Sequence, residues 1–411
     1  MLDIKFIREN PDKVKKGCKT KQVKVNIDQL LKLDKKRREY LKEIEDLRAK
    51  QKKIRREEIE KAKELKAKIK KIEPKLKKIE REFQDLMLQI PNLPLEGVPV
   101  GKDERENVVL KEVSEKTKFD FKPKDYLEIA EKLNLIDVKR AAKISGTRFG
   151  FLKNEAVLLE FALINFTFDT LLKQGFISVI PPVMLKPEML EKSGHLSEKD
   201  RPERYFIEKD NIYLAGTAEQ PIAAMHTDEI FEEKDLPRRY LGFSTCFRRE
   251  AGSYGKDTKG IFRVHQFDKI EMFSFCHPEK SREEHQFLLS CQEKLMQLLK
   301  IPYRVIQICT GDLGFPAAAA YDLEAWLPSE NRYRETQTTF NDTDFQTRRL
   351  NIRYRDSKTQ KLEFPHALNG TAFAIGRTLI AIIENYQTKK GEIKVPQVLE
   401  KYLGFKIIPQ K

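Results

Sequence analysis

The sequence predicts an α+β protein: an N-terminal antiparallel helical coiled-coil arm, then a larger domain built on an antiparallel β-sheet flanked by helices. Three observations carry that prediction. Two unbroken heptad runs fill the first hundred residues, a proline-rich break follows them, and beyond it short strands, several paired as hairpins, alternate with helices. At 411 residues the chain exceeds what one core usually serves, and the break divides it into residues 1–100, with the arm at about 28–90, and residues 101–411.

The opening residues, Met-Leu-Asp-Ile-Lys-Phe-Ile-Arg-Glu-Asn, are of mixed charge and read as a short helix rather than a targeting segment. The first heptad run is Leu30, Leu33, Arg37, Tyr40, Ile44, Leu47, Gln51 and Ile54. The second is Ala62, Leu65, Ile69, Ile72, Leu76, Ile79, Phe83, Leu86 and Ile90. Steps of three and four place one apolar seam on each helix, and two adjacent runs of similar length fold back as a hairpin. Helices of roughly 30 residues would be about 45 Å long, with the tip near Arg55 to Lys61. Pro74 falls inside the second run and predicts a kink there. Residues 32–82 hold 22 Lys or Arg against 12 Asp or Glu, an excess of ten within a net charge of +15 for the chain. A cationic rod of this kind fits nucleic acid better than a bare dimerisation coil.

The arm ends at Ile90-Pro91-Asn92-Leu93-Pro94, and the linker runs on through Gly97, Pro99 and Gly101. Helices are then expected at 126–133 and 155–172, strands at 176–180 and 303–308, and hairpins over 239–275 and 331–355. The five cysteines form no C-x-x-C pair and the six histidines no metalloprotease spacing, so neither a disulfide framework nor a zinc site is expected. A reducing, cytoplasmic setting fits, and the absence of a long apolar run argues against a membrane protein. No glycine-rich phosphate loop of either usual type occurs, so a nucleotide site must be built another way.

The richest stretch is residues 245–271. Alternation places Arg248 and Glu250 on one face of a strand, in line with Gly242, Ser244 and Cys246, and puts Phe267 and Glu271 on one face of the returning strand. Between them, Ala251 to Gly260 carries three glycines, Lys256, Lys259 and Tyr254, a cationic loop suited to a polyanion. An arginine, two carboxylates and an aromatic ring on one sheet face exceed what stability demands.

These residues resemble a known family. Phe247-Arg248-Arg249-Glu250 is similar to motif 2 of the class II aminoacyl-tRNA synthetases. Gly376-Arg377 with the apolar helix after it resembles motif 3, and Gly175-Phe176 through Pro181-Pro182 resembles the motif 1 dimer element. Thr217-Ala218-Glu219, Val264-His265-Gln266-Phe267-Asp268-Lys269, Asp344-Phe345-Gln346-Thr347-Arg348-Arg349 and Asn369-Gly370-Thr371 narrow the resemblance to the seryl-tRNA synthetase family. The arm resembles that family's tRNA-binding arm, so the likeness spans almost the whole chain.

The resemblance implies an ATP-dependent serine–tRNA ligase that forms seryl-adenylate and passes the seryl group to the 3′-terminal adenosine of tRNA-Ser. It leaves open whether selenocysteine tRNA is also charged, and it implies a homodimer. Arg248, Glu250 and Arg377 would be catalytic. Arg248, Arg249, Glu250, Phe267, Glu335, Thr336, Gln337, Thr338 and Arg377 would bind ATP, with Mg²⁺ on Glu335. Thr217, Ala218, Glu219, Glu271 and Thr371 would bind L-serine. The alternative is a synthetase-like protein that binds tRNA without charging it. The chain departs from the family pattern at Gln220, at Ala319, across 335–341 and in a shorter arm.

Overall fold

The computed structural model describes residues 1–54, 59–197, 200–251, 257 and 259–409. It comprises two compact units, Met1–Leu93 and Pro94–Lys411, so the division falls within the predicted linker, seven residues before position 100.

The first unit holds α1 (Ile4–Glu9), α2 (Pro11–Thr20), α3 (Ile27–Lys52) and α4 (Ile59–Leu88). At 26 and 30 residues, α3 and α4 are about 39 and 45 Å long. Asn26 caps α3 by accepting the Gln29 N–H at 2.9 Å. Most of the predicted seam is what the helices bury: Leu30, Leu33, Phe83 and Ile90 close over Ile7, Val14 and Cys18 at the base, with Met87 buried there and the predicted Leu86 only partly so, and Ile44, Ile69, Ile72 and Leu76 meet farther out. Arg37 takes a seam position by lying 4.7 Å from the Phe83 ring centre and 3.5 Å from the buried Asp34, which also holds Arg8 and Arg38. Pro74, where a kink was expected, lies inside α4, which is helical on both sides of it. That residue is exposed, between the buried Ile72 and Leu76, so its ring points away from the seam. Of the predicted tip, Arg55 to Glu58 lie outside the described residues.

The second unit is organised by an eight-stranded sheet of β1 (Val108–Val113), β2 (Ile177–Val179), β3 (Arg238–Phe247), β4 (Gln266–Cys276), β5 (Tyr303–Gln307), β6 (Ala319–Leu327), β7 (Arg332–Asn341) and β8 (His366–Ala374). Their spatial order is β1-β5-β6-β7-β8-β4-β3-β2. All neighbours are antiparallel except β2 and β3, which run parallel.

Helices α5 (Glu155–Leu171), α6 (Ser281–Leu298) and α7 (Ile375–Asn385) cover one face. Leu159, Leu163, Phe166, Leu288, Leu295 and Leu379 bury there with Ile270, Met272 and Phe373 of the sheet. Strand alternation sends Phe273 and Phe275 to the opposite face, into a second cluster with Ile222, Phe231 and Leu350. Phe267, Lys269 and Glu271 share that second face, away from the helices, and it carries the site.

Candidate active site

The site is read most simply from β4. Glu271 stands opposite Thr371 of β8 on one side and Gly242 of β3 on the other, and Lys269 and Phe267 follow at intervals of two. Their β3 partners, Gly242, Ser244 and Cys246, are small and leave the face open. A Cβ on Gly242 would meet Ile222 Cδ1 at 2.5 Å and Ala218 Cβ at 3.3 Å. The glycine therefore lets the segment bearing Thr217, Ala218 and Glu219 lie against the sheet.

This end of the site is a buried charge network. Lys269 is 6% and Glu271 2% exposed, and the two form an ion pair. Thr371 Oγ1 donates to Glu271 Oε2 at 3.3 Å and accepts from Lys269 Nζ at 3.4 Å. Burial and the nearby Glu219 push the Glu271 carboxyl up, against the pull of Lys269. Glu219 meets His195 Nε2 at 2.8 Å and accepts from Gln346 Nε2 at 2.9 Å, while its own N–H caps onto Thr217 Oγ1 at 3.2 Å. Burial disfavours its charge, but His195, Gln346 and Lys269 outweigh burial and hold the carboxyl below the usual range. Gln220, the departure beside it, accepts the Gly216 N–H at 3.0 Å, so the residue braces the turn that presents Thr217.

The other end is a cluster of guanidinium groups. Strand β3 stops at Phe247, so Arg248 and Glu250 lie just past it rather than on its face. Glu250 adopts φ +50°. Arg248 N donates to His265 O at 2.9 Å, its Nε to Gly216 O at 3.2 Å, and its guanidinium lies 5.4 Å from the Phe267 ring centre. Arg263 meets Glu250 at 3.3 Å. Arg377, on the first turn of α7, pairs with Glu335 at 2.8 Å and lies 4.7 Å from the Phe262 ring centre, with Arg334 3.9 Å from the same ring. Arg249 is exposed and turned toward Tyr205, 5.7 Å from its ring centre. Tyr254 and Lys256 lie outside the described residues.

Strand β7 supplies the acid side through a bulge. Register shifts between Leu323 and Glu324, so Glu324 opposes Glu335, Asp322 opposes Thr338, and Thr336 is the extra residue. Glu335 and Thr338, three apart, thereby share a face, and Thr338 Oγ1 donates to Glu335 Oε1 at 3.4 Å. Burial works to raise the Glu335 carboxyl, yet Arg377, with Arg248 and Arg263 behind it, holds it below the usual range. Asp322 has no such partner, and burial together with Glu335 pushes it well up. Thr336 and Gln337 are not brought to this face: their side chains donate to the carbonyls of Leu323 (3.1 Å) and Ala372 (2.5 Å). Ala319 pairs with Asn341, whose side chain bonds Ser281 of α6, so that position faces the helical layer and no basic group is missing from the site.

Three carboxylate or hydroxyl donors (Asp322, Glu335, Thr338) thus gather beside the arginines, and an all-oxygen set of this kind suits Mg²⁺. Among the described residues, one mixed group of metal-type donors lies elsewhere, Glu233, His277 and Asp356. Sequence reasoning missed Lys269, His195, Gln346, Arg263, Arg334 and Asp322 as site members. Alternation from Glu271 could have found Lys269, and Arg263 lies within the 245–271 stretch itself, but the others come from segments that only the fold brings near.

A cationic groove on the open face of an antiparallel sheet, with an arginine past one strand and another at the start of a helix, defines a class II aminoacyl-tRNA synthetase. Residues 205–386 match the class II core domain of the G, H, P, S and T synthetases, and residues 1–94 match the seryl-tRNA synthetase N-terminal domain. The serine–tRNA ligase of Dictyoglomus thermophilum is 45% identical over 425 residues, with 100% of both chains covered. The crystal structure of Pyrococcus horikoshii seryl-tRNA synthetase complexed with ATP superposes with a TM-score of 0.93 at 41% identity, covering 100% of both chains. That of the cytoplasmic enzyme of Naegleria fowleri in complex with AMP superposes with a TM-score of 0.91 at 37% identity, covering 100% of this chain and 99% of the other. The chain belongs to the seryl-tRNA synthetase family.

Proposed function

We propose that the chain is a serine–tRNA ligase: it activates L-serine with ATP to seryl-adenylate, releasing pyrophosphate, and transfers the seryl group to the 3′-terminal adenosine of tRNA-Ser. The observation that carries this reading is the joining of two half-sites on one strand, with Glu271, Thr371 and Lys269 in a buried polar pocket and Phe267 under Arg248 two residues away from it. One half suits a small zwitterion with a hydroxyl, the other a nucleoside triphosphate.

In the first step a serine carboxylate oxygen attacks the α-phosphorus and pyrophosphate leaves in line. The protein's task is to position two anions and to balance charge on the phosphoryl oxygens. Arg248 suits the α-phosphate and Arg377 the far end of the triphosphate, since a planar guanidinium donates paired hydrogen bonds to phosphate. Phe267 offers its ring to adenine. Glu271 and Thr217 fit the serine ammonium, and Thr371, whose O–H is already given to Glu271, keeps a lone pair for the substrate hydroxyl. A site that pairs with that hydroxyl rejects alanine by roughly 10⁴-fold. Asp322, Glu335 and Thr338 would hold Mg²⁺, which when bound neutralises phosphate charge.

The partners are tRNA-Ser, through the cationic arm, and a second copy of the chain. Dimer formation is supported by an apolar face on the second unit, where Ile180 is 79%, Phe161 59%, Ile177 51% and Leu158 49% exposed; sedimentation at twice 48.2 kDa is expected, and a monomeric mass would count against it. Among the described residues no helix is long and apolar enough to cross a membrane, and the reading places the enzyme in the cytoplasm. The test of the whole is ATP–pyrophosphate exchange. Exchange that depends on L-serine is expected; its absence, with tRNA binding retained, would leave a non-charging tRNA-binding protein.

A further inference from the structure

Arg204 stands at the edge of this site as a largely buried guanidinium whose nearby acids, Asp200, Glu203 and Glu219, only partly offset the cost of burial. It follows the turn Arg201–Glu203 and precedes the short strand Phe206–Ile207. Its guanidinium lies directly over Gly216, where a Cβ would come within 2.1 Å of Nη1 and 3.4 Å of Cζ. Gly216 is not in the left-handed region. A side chain at this position would displace the guanidinium, and the backbone itself does not require glycine.

On the same peptide, Gly216 O accepts from Arg248 Nε at 3.2 Å. Two cations therefore flank one glycine, and the residue after it is Thr217. Arg204 Nε is buried and has no hydrogen-bond partner among the described residues. The neighbouring acids have other partners: Asp200 accepts from Ser197 N and Oγ, Glu203 from the Ala251 N–H, and Glu219 is held by His195 and Gln346. Burial first, and Arg248 next, depress the Arg204 pKa. A buried cation next to another cation is relieved by an anion arriving between them.

We propose that Arg204 binds the carboxylate of the amino-acid substrate, while Arg248 binds the α-phosphate. This rests on the serine-activation reading above. The assignment to the carboxylate follows from place: Arg204 lies at Gly216 with Glu219 of the amino-acid end among the charges acting on it, whereas Arg248 lies against Phe267. The two groups that must react are both anions, and each then has its own guanidinium. Attack by the carboxylate oxygen on the α-phosphorus, with loss of pyrophosphate, moves no proton, and both arginines stay charged throughout.

The test uses the full chain, with Arg204→Gln, Arg204→Lys and Gly216→Ala. In ATP–pyrophosphate exchange, Arg204→Gln is expected to raise KM for serine by about 10–100-fold, the scale of one lost charge-assisted hydrogen bond, and to change KM for ATP by less than about 3-fold. Arg204→Lys should recover part of the loss. Gly216→Ala, which displaces the guanidinium, should show the same selectivity. Calorimetric titration with L-serine and with L-serinamide, which lacks the carboxylate charge, provides the second readout: Arg204→Gln should weaken serine and leave serinamide unchanged. Equal weakening of both ligands, a loss confined to ATP, or unaltered serine binding would overturn the proposal. Failure of the wild-type chain to exchange with serine would instead overturn the activation reading itself.

Discussion

Glu335 bears on both the arginines and the metal, and its side chain is still 43% exposed. Replacing it by Gln keeps the shape, removes the charge from the Arg377 pair and takes one oxygen donor from the group formed with Asp322 and Thr338. The expected result is an increase of about tenfold or more in the Mg²⁺ concentration giving half-maximal pyrophosphate exchange, with kcat/KM for ATP lower by about 10²-fold. Thr336→Ala, which cuts only a bond to Leu323 O, should shift neither by more than about 3-fold. A Glu335→Gln variant with unchanged Mg²⁺ dependence would remove this residue from metal binding. The contrast between neighbours also marks what single residues disclose in sequence. Phe267 and Glu271 were legible because alternation puts them on one face of β4, whereas Arg248 was expected on the face of a strand that ends one residue before it, and Thr371 entered through the resemblance. Thr336 and Gln337 came from the resemblance alone, and the one-residue bulge at Thr336, which no local signal announces, leaves their side chains on the carbonyls of Leu323 and Ala372. His195 and Gln346 were silent because each acts on Glu219 from another segment of the chain.

At the scale of elements, α5 lies on the sheet with a carboxyl between them. Glu160 of α5 hydrogen-bonds Asp268 of β4, which also accepts from Thr245 Oγ1 at 2.5 Å, and both acids line a cavity of about 440 Å³ with Phe149, Ile261 and Ile375. Burial, and then the bond to Asp268, push Glu160 up to about 8. The unfolded chain releases that proton near pH 4.3. Between these values the native state holds a proton that the unfolded state does not, so stability falls as pH rises. The contribution is complete below about pH 4.3 and is lost as pH passes through about 8. Glu160→Gln keeps a donor facing Asp268 and cannot titrate. Its urea midpoint should therefore change less between pH 6 and pH 9 than that of the wild type; parallel profiles would mean that Glu160 carries no such proton. The elements were legible in part: β4 and α5 fall where a strand and a helix were expected, whereas the hairpin expected over 331–355 is broken by a helix at Phe345–Leu350. Pro74 was expected to disturb the second heptad helix, and α4 continues through it with that residue exposed.

For the whole molecule, the division of charge argues for a division of labour. Residues 32–82 carry an excess of ten positive charges, two thirds of the chain's net +15, yet none of the residues gathered at the site comes from them. Most of the base of its unit lies outside the rod, since Ile7, Val14, Cys18, Ile27, Leu30, Phe83, Met87 and Ile90 remain when Leu33 and Asp34 leave with it. Deleting residues 32–82 and closing the gap with a short glycine turn should thus leave serine-dependent pyrophosphate exchange within about 3-fold of wild type. Aminoacylation of tRNA-Ser should fall by more than about 10³-fold, because a loss of many phosphate contacts compounds. In the intact chain, log affinity for tRNA should decline linearly with log salt, at a slope of about 0.7–0.9 per phosphate contact, and the deletion should flatten that line. Equal loss of exchange and charging would make the rod a structural support for the second unit, and an unchanged salt slope would mean that its lysines do not meet the phosphates. Either result would separate the arm's charge from tRNA recognition, which the heptads alone, compatible with any long helical hairpin, cannot do.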